Sequence, residues 1–346
     1  MTMLFLDDFG IFLGRKRNRF VVKKDGERRE FVADKVDSII CTCSGVAFSS
    51  SALSLAVENH IQVVFARFSG WPYAVLMPTA LTGSVRARRE QFLAYNDVRG
   101  FMLAKGFVKG KLRNQASLLK LLAKNRKPSD PKVAEALYAA GKAVDAVVAV
   151  VEDERAENID VARQRLMNLE AEAARIYWDA VGRILPAELE FKGRVTRGAT
   201  DPFNVMLNFG YQAVLFPEVW KAVCYAGLDP YAGFLHADRP GKPSLVLDLM
   251  EEFRQQLVDR ALIGLVSKRI IKPEEIMAEE DVEKNRLLSK KAAEQLLESL
   301  LERFEAKVMF AGKRNPLKSF IYHQARAIVR FLLGDSGDYV PFVLGW

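Results

Sequence analysis

The hydrophobic pattern changes once along this chain, and that change constrains the fold more than any other feature. Up to about residue 80, short runs of apolar and β-branched residues alternate with turn residues, which is typical of β-strands. From the region Thr82–Arg89 onward, apolar residues recur every three or four positions, the spacing of amphipathic helices. We therefore expect an α+β multi-domain protein. A small N-terminal β-sandwich domain, residues 1–85, would precede a larger all-α domain, residues 86–346.

Tight turns divide the first part of the chain into candidate strands. Asp25-Gly26 tolerates the positive φ of a two-residue turn and predicts a hairpin between Arg19–Lys24 and Glu27–Val32. A serine cluster before an Ala- and Leu-rich stretch predicts one short helix over Ser50–Asn59. The remaining strand candidates are Met3–Leu6, Ile11–Leu13, Val36–Thr42, Ile61–Ala66 and Tyr73–Met77.

Positive charge is concentrated in the front of the chain. The 346 residues have a formal net charge of +8, but residues 1–130 alone hold 22 Lys and Arg against 11 Asp and Glu. This imbalance predicts a polyanionic partner, with nucleic acid as the first candidate. Val98–Ser129 contains nine basic residues and no acid, which favours a helical ribbon that follows a phosphate backbone over a merely solvated face. The candidate nucleic-acid contacts are Arg86, Arg88, Arg89, Lys109, Lys111 and Arg113.

Several classes of protein are excluded by what the sequence lacks. Three cysteines with no CxxC pair argue against a disulfide framework or a cysteine-rich zinc module, and they fit a reducing cytosol. The start has no basic segment typical of a signal peptide, and the apolar runs are too short to cross a bilayer, so we expect a cytoplasmic protein. Phosphate-loop, dinucleotide and serine-nucleophile motifs are also missing, which argues against nucleotide hydrolysis and serine-based catalysis.

The predicted helix Ile159–Ile184 has one carboxylate on its apolar face. Glu170 lies within the apolar stripe of that helix, between Leu166 and Ala173. A carboxylate withdrawn from water needs a partner, because an unpaired buried charge costs several kcal/mol. From this pattern alone, a structural salt bridge and a ligand role are equally good interpretations.

Two further segments add an imidazole and more carboxylates. His236 lies in a Gly- and Pro-rich loop, where an exposed histidine without a function is the ordinary alternative. Asp248 and Glu251 are three residues apart on the predicted helix Ser244–Leu262, so they can converge on one cation, although acidic residues near a helix start also suit the dipole. Carboxylates with one imidazole suit Mn²⁺ or Mg²⁺ better than zinc.

Longer stretches of the sequence resemble a known family. The segment from Asp201, DPFNVMLNFGYQAVLFPEVWKAVCYAGLDPYAGFLHADRPGKPSLVLDLMEEFRQQLVDR, closely resembles the signature of the CRISPR-associated spacer-acquisition endonuclease and integrase family, the first of the Cas proteins. NLEAEAARIYW is similar to the Glu-containing helix of that family. SSSALSLAVENHIQVVFARFSGWP and the ending GDYVPFVLGW are also in keeping with it.

The resemblance implies a function for this site. Family members are Mg²⁺- or Mn²⁺-dependent DNA endonucleases and integrases that dimerise through their first domain. With a small ferredoxin-like partner, the second adaptation protein, they join the 3′-OH ends of captured DNA to a CRISPR repeat by transesterification, acting on double-stranded and branched DNA. By position, the metal ligands of the family fall on Glu170, His236 and Glu251, and a further important acidic residue falls on Asp248.

One residue departs from the family pattern, and one other function stays open. Ala171 stands where the family often has glycine after the metal glutamate, which affects only local packing. The alternative function is a non-catalytic architectural nucleic-acid-binding protein whose acidic cluster is structural.

Overall fold

The computed structural model describes residues 2–67, 70–78, 83–277, 288–310 and 312–345. Some residues used above lie outside these ranges: Thr82 at the change of period, and Phe68, Ser69 and Trp346 within the quoted motifs. In the described part, strands occupy the N-terminal region and helices dominate from Val85 onward, as the change of hydrophobic period predicts. The division into two domains at residue 85 stays a prediction.

The N-terminal region contains two four-stranded sheets. One has the order β1-β5-β7-β8 and the other the order β4-β3-β2-β6. The predicted hairpin is confirmed, because Lys24 pairs with Glu27 and both turn residues have positive φ, 50° at Asp25 and 82° at Gly26. The strands are β1 Thr2–Leu6, β2 Phe12–Lys16, β3 Arg19–Lys24, β4 Glu27–Val32, β5 Val36–Cys41, β6 Ala47–Phe48, β7 Gln62–Ala66 and β8 Pro72–Leu76.

Both sheets contribute to one hydrophobic core. Leu13 and Phe20 from one sheet are fully buried with Ile39 and Val63 from the other. Helix α1, Ser50–Glu58, begins at the predicted serine N-cap, Ser49, and packs against β2 and β7, one strand of each sheet. The N-terminal region is therefore two sheets and a helix that share one core.

The C-terminal region is mostly helical, not all-helical as predicted. Strands β9, Lys307–Phe310, and β10, Lys313–Pro316, form an antiparallel pair. In β9, Val308 packs against the core while Met309 is exposed, a period of two that four residues cannot reveal among helical neighbours. The helices are α2 Val85–Ala94, α3 Val98–Arg126, α4 Pro131–Asp153, α5 Ile159–Gly182, α6 Pro202–Phe209, α7 Phe216–Tyr225, α8 Ser244–Met250, α9 Arg260–Ser267, α10 Lys290–Glu305 and α11 Leu317–Leu332.

Helix α3 is the central element of this region. It packs against α4 and α5, and buried residues follow one another along most of its length. Gly110 allows a close approach, since a Cβ there would lie 2.8 Å from Pro341 Cβ and 2.9 Å from Glu252 Cγ. The basic segment of the sequence is thus largely a packed helix and differs from the exposed ribbon that we expected.

The predicted helix Ser244–Leu262 is interrupted, so this prediction is wrong as one continuous helix. Helix α8 ends at Met250, and the amides of Glu251, Glu252 and Phe253 bond to the carbonyl three residues earlier. Arg254–Asp259 then forms a π-helical segment that leads into α9. A tightened turn followed by a widened one changes the direction of successive side chains, and both events fall at the acidic cluster.

Ion pairs connect the two regions of the chain. Asp8 contacts Lys24 of β3 at 2.8 Å and Lys290 of α10 at 2.6 Å. Lys318 of α11 contacts Asp37 of β5 and Glu305 of α10. Within the described ranges, none of the helices is long and apolar enough to cross a membrane.

Candidate metal centre

Glu170 and Glu251 meet at one ammonium group. Glu170 projects from α5, Glu251 follows α8, and Lys111 lies on α3 between them. Lys111 Nζ pairs with Glu170 Oε1 and lies 2.6 Å from Glu251 Oε2. The prediction that Glu170 needs a partner is thereby confirmed. Two carboxylates from different helical elements meet at one ammonium that a third element supplies.

Electrostatics keep this centre ionised although it is buried. Burial acts to raise the pKa of Glu251, but the charges of Arg254 and Lys111 outweigh burial and lower its pKa to about 2. Burial acts to lower the pKa of Lys111, but Glu251 and Glu170 outweigh it, so the pKa of Lys111 is raised. Glu251 and Lys111 therefore stabilise one another in their charged forms.

His236 is held by Asp248 in a defined orientation. Asp248 is fully buried, and its Oδ1 lies 2.6 Å from His236 Nδ1. Asp248 also accepts backbone hydrogen bonds from Phe234, Leu235 and His236 at 2.7, 3.0 and 2.9 Å. Since the carboxylate acts as acceptor throughout, Nδ1 carries the proton and Nε2 keeps a free lone pair. The interpretation that Asp248 and Glu251 converge on one cation is therefore wrong, because both oxygens of Asp248 are directed at residues 234–236, and Asp248 is a positioning residue.

The loop that carries His236 is fastened by helices on two sides. Gln91 of α2, which is buried, donates hydrogen bonds to the carbonyls of Asp229 at 2.9 Å and Ala232 at 2.7 Å. Arg163 of α5 donates to the carbonyl of Phe234 at 3.2 and 3.3 Å. The imidazole is therefore tied to the same helix that carries Glu170.

A second group of side chains supports Glu251 from behind. Arg254 Nε donates to Glu251 Oε1 at 3.0 Å, and its guanidinium lies 4.5 Å from the ring centre of Tyr211. The hydroxyl groups of Tyr211 and Tyr177 both donate to Asp259. Tyr211 and Asp259 lie in two π-helical segments, Gly210–Leu215 and Arg254–Asp259, which pack against each other.

The donor set suits a hard divalent cation. Glu251 Oε2 is buried without a well-aligned hydrogen bond, and the charge that balances it is the Lys111 ammonium. Two converging carboxylates with a nearby imidazole lone pair match the ligand preference of Mg²⁺ and Mn²⁺. In the part of the chain that the structure describes, no group of three side chains from Asp, Glu, His or Cys is close enough together to hold a metal ion. Lys111 occupies the space that the carboxylates share.

The predicted nucleic-acid contacts fall into three groups. Arg86, Arg88 and Arg89 are exposed on α2. Lys109 and Arg113 of α3 pair with Glu152 of α4, at 3.4 and 2.5 Å. Lys111 belongs to the acidic centre. The charge run in the sequence thus combines residues with different surroundings. Arg113, Lys124 and Lys127 are exposed as well as the three arginines of α2.

Four residues of this centre were missed by sequence reasoning. Gln91 and Arg163 fix the histidine loop, Arg254 fixes Glu251, and Lys111 bridges the carboxylates. Lys111 was counted among nine similar charges, and nothing in its local sequence separates it from them. Arg254 carried a weak signal, because it lies one helical turn after Glu251 on a stripe of charges.

Fold and site together define a protein with N-terminal strands, a larger helical region and a centre in which two carboxylates share one ammonium. Comparison with known proteins identifies the family. The family model for "CRISPR associated protein Cas1" matches residues 4–302, and this chain belongs to the Cas1 family. It is 43% identical to CRISPR-associated endonuclease Cas1 1 of Archaeoglobus fulgidus over 352 aligned residues, 99% of each chain. It is 32% identical to CRISPR-associated endonuclease Cas1 of Korarchaeum cryptofilum, over 98% of this chain and 97% of that one.

Solved structures show the same fold at lower identity. A casposase bound to integration product superimposes with a TM-score of 0.82 at 22% identity, over 98% of this chain and 93% of that one. A Cas1 protein from Thermotoga maritima gives a TM-score of 0.74 at 19% identity, over 99% and 100%. A chain of a Cas6-RT-Cas1–Cas2 complex gives 0.73 at 21% identity, over 98% of this chain and 36% of that one.

Proposed function

We propose that this protein is a divalent-metal-dependent DNA endonuclease and integrase that inserts captured DNA fragments into a CRISPR array. The observation on which the proposal depends is the convergence of Glu170 and Glu251 on one cationic position. The orientation of His236 by Asp248 supports it. Membership of the Cas1 family and the names of its relatives, which are called endonucleases, support the activity. The casposase with integration product supports strand transfer through its fold.

In this proposal, Glu170, His236 and Glu251 hold one Mg²⁺ or Mn²⁺ ion. When bound, the metal would act as a Lewis acid on a phosphodiester. Asp248 keeps His236 in the tautomer whose Nε2 can coordinate, and Arg254 keeps Glu251 ionised and directed at the centre. These hydrogen bonds fix His236 and Glu251 before substrate arrives.

The reaction proposed is an exchange of phosphate esters. The 3′-OH of the captured fragment forms a new P–O bond to a phosphate of the repeat, and the bond from that phosphate to the neighbouring 3′ oxygen breaks. The attacking hydroxyl loses its proton and the leaving 3′ oxygen gains one, so no oxidant or external energy source is needed. The exposed arginines Arg86, Arg88 and Arg89 on α2 are the proposed contacts to the DNA backbone.

The assembly proposed has two kinds of partner. A second copy of this chain would dimerise through the N-terminal sheets, as the family resemblance implies. The structural neighbour from a complex that contains Cas1 and Cas2 supports the small second adaptation protein as the other partner.

Glu170→Ala and His236→Ala test this function. Each should reduce Mn²⁺-dependent strand transfer about a hundredfold or more, because each removes one direct ligand, while DNA binding in a gel-shift assay stays unchanged. Glu172→Ala, an exposed glutamate two residues further along α5, is the matched control and should keep wild-type activity.

Two outcomes would contradict the proposal. Wild-type protein that binds DNA but shows no divalent-dependent chemistry on branched or 3′-OH-ended DNA would favour an architectural role. Strand transfer that survives in both variants would show that the chemistry takes place elsewhere.

A further inference from the structure

Lys111 is a largely buried lysine that lies between the two carboxylates of the candidate metal centre. Its side chain is 14% exposed, and its ammonium contacts both Glu170 and Glu251. It reaches this place because α3 passes close to the turn after α8, where Gly110 lies against Glu252. An ordinary surface lysine stays in water, since its ammonium is strongly hydrated.

The two carboxylates need a positive charge between them, and the Lys111 ammonium supplies it. Without it, two carboxylates on different helices would face each other in a largely buried space, and a like-charge pair of this kind destabilises the fold. Arg254 neutralises Glu251 from its other oxygen, but it does not contact Glu170. Lys111 is therefore the counterion that both carboxylates share.

The same space is the one that a metal ion needs. Glu170 Oε1 and Glu251 Oε2 are both directed at Lys111 Nζ, so an ion bound by both carboxylates would overlap the ammonium. Two cations cannot share this position, because they repel each other strongly at such distances.

We propose that Lys111 is an internal substitute for the metal: it occupies the divalent-cation position in the metal-free protein, and the ion binds by displacing it. This inference rests on the proposed function. The two carboxylates therefore have a positive partner in both states. The flexible lysine stem allows the ammonium to swing out towards solvent.

If the ion displaces the ammonium, the charge of Lys111 competes with Mn²⁺ for the site. In Lys111→Met, which keeps the apolar stem and removes the charge, Mn²⁺ should bind about tenfold or more tightly by isothermal titration calorimetry. Lys111→Arg keeps a cation in place and should bind Mn²⁺ no more tightly than wild type. Lys120→Met is the matched control, because Lys120 lies on the same helix, is also 14% exposed and pairs with the single acid Asp145. It should leave Mn²⁺ affinity unchanged.

A measurement on the unmodified protein covers the case in which Lys111→Met does not fold. Acetylation of lysines by an activated ester, followed by mass spectrometry, reports how accessible each ammonium is. Lys111 should react slowly with chelator present and several-fold faster when Mn²⁺ is added, while Lys120 reacts at the same rate in both.

The possible results separate the displacement of Lys111 from the proposed metal dependence. If Lys111→Met binds Mn²⁺ no more tightly than wild type, or if Lys111 stays protected when Mn²⁺ is bound, displacement is wrong and the lysine is a permanent part of the site. Mn²⁺ binding by Lys111→Met but not by wild type would support displacement in its strongest form. If neither protein binds Mn²⁺, the proposed metal dependence fails, and displacement fails with it.

Discussion

At the scale of single residues, the centre depends on pairs in which one side chain sets the state of another. His236 acquires a defined tautomer from Asp248, and Glu251 acquires a low pKa from Arg254 and Lys111 despite its burial. In each pair, the supporting residue is more buried than an ordinary charged residue and has further partners of its own. The chemistry of the site thus depends on the residues that hold His236 and Glu251 as much as on His236 and Glu251 themselves.

Asp248→Asn tests this support. An asparagine cannot accept all four hydrogen bonds that Asp248 accepts, so either the backbone amides or the His236 ring loses its acceptor. We expect Mn²⁺ affinity to fall about 10- to 100-fold by titration calorimetry. Asp238→Asn is the control, because Asp238 lies in the same loop and accepts from Ser244 Oγ at 3.0 Å. Wild-type Mn²⁺ affinity in Asp248→Asn would show that the ring needs no such partner.

At the scale of elements, two irregular helical segments shape the region behind the centre. The π-helical segments Gly210–Leu215 and Arg254–Asp259 pack together, and they bring Tyr211 onto Arg254 and next to Asp259. A regular helix from Ser244 to Leu262 would direct these side chains differently. Wide turns of this type occur frequently at functional sites, and here they support Glu251 through Arg254.

The buried acid of this region predicts a pH-dependent stability. Burial raises the pKa of Asp259 from 3.8 to about 6, although hydrogen bonds from Tyr211 and Tyr177 oppose the shift. A carboxyl whose folded pKa is raised contributes stability below its unfolded pKa and loses that contribution as the pH rises through the folded pKa. Between about pH 4 and pH 6, wild type should therefore lose about 1–3 kcal/mol of unfolding free energy relative to Asp259→Asn.

Urea unfolding at several pH values measures this difference. Asp179→Asn, an exposed substitution on α5, is the control and should follow the wild-type profile. A difference between wild type and Asp259→Asn that stays constant, or that grows in favour of wild type as the pH rises, would contradict the prediction.

At the scale of the whole molecule, the C-terminal segment is bound into the helical core. The amide of Phe342 donates to Glu252 Oε2 at 2.7 Å, and the Tyr339 hydroxyl donates to Oε1 at 2.5 Å. Asn114 of α3 donates to the carbonyls of Phe342 and Glu252, both at 2.8 Å, and accepts from the amide of Leu344 at 3.0 Å. Residues far apart in sequence thus meet directly beside Glu251.

Asn114→Ala should loosen this attachment. The substitution leaves two carbonyls and one amide without partners in a buried place, which should cost about 2–4 kcal/mol of unfolding free energy in urea. Ser336→Ala removes an exposed hydrogen bond of 2.8 Å near the same end of the chain and should cost less than about 0.5 kcal/mol. Equal effects of the two substitutions would show that the C-terminal segment adds little to stability.

Local patterns were predictable from the sequence, and contacts between distant segments were not. The hairpin at Asp25-Gly26 and helix α1 were found because turn residues and caps act over a few positions. The strand pair β9–β10 and the interruption after Met250 were missed, because both depend on packing against distant elements. Glu170 was found because a carboxylate in an apolar stripe conflicts with its own helix.

The sequence by itself indicated that strands precede helices, because the hydrophobic periodicity changes once. The family and the candidate ligands Glu170, His236 and Glu251 follow from the resemblance of its motifs to that family. The tertiary structure alone decided which charges meet. Packing places Lys111, one of several similar basic residues on α3, between two acids. It also places Asp248 against His236, so that Asp248 and Glu251 do not share a cation. The physical reason is that charges interact through space, so a residue's partner depends on the packing of elements far from it in the chain.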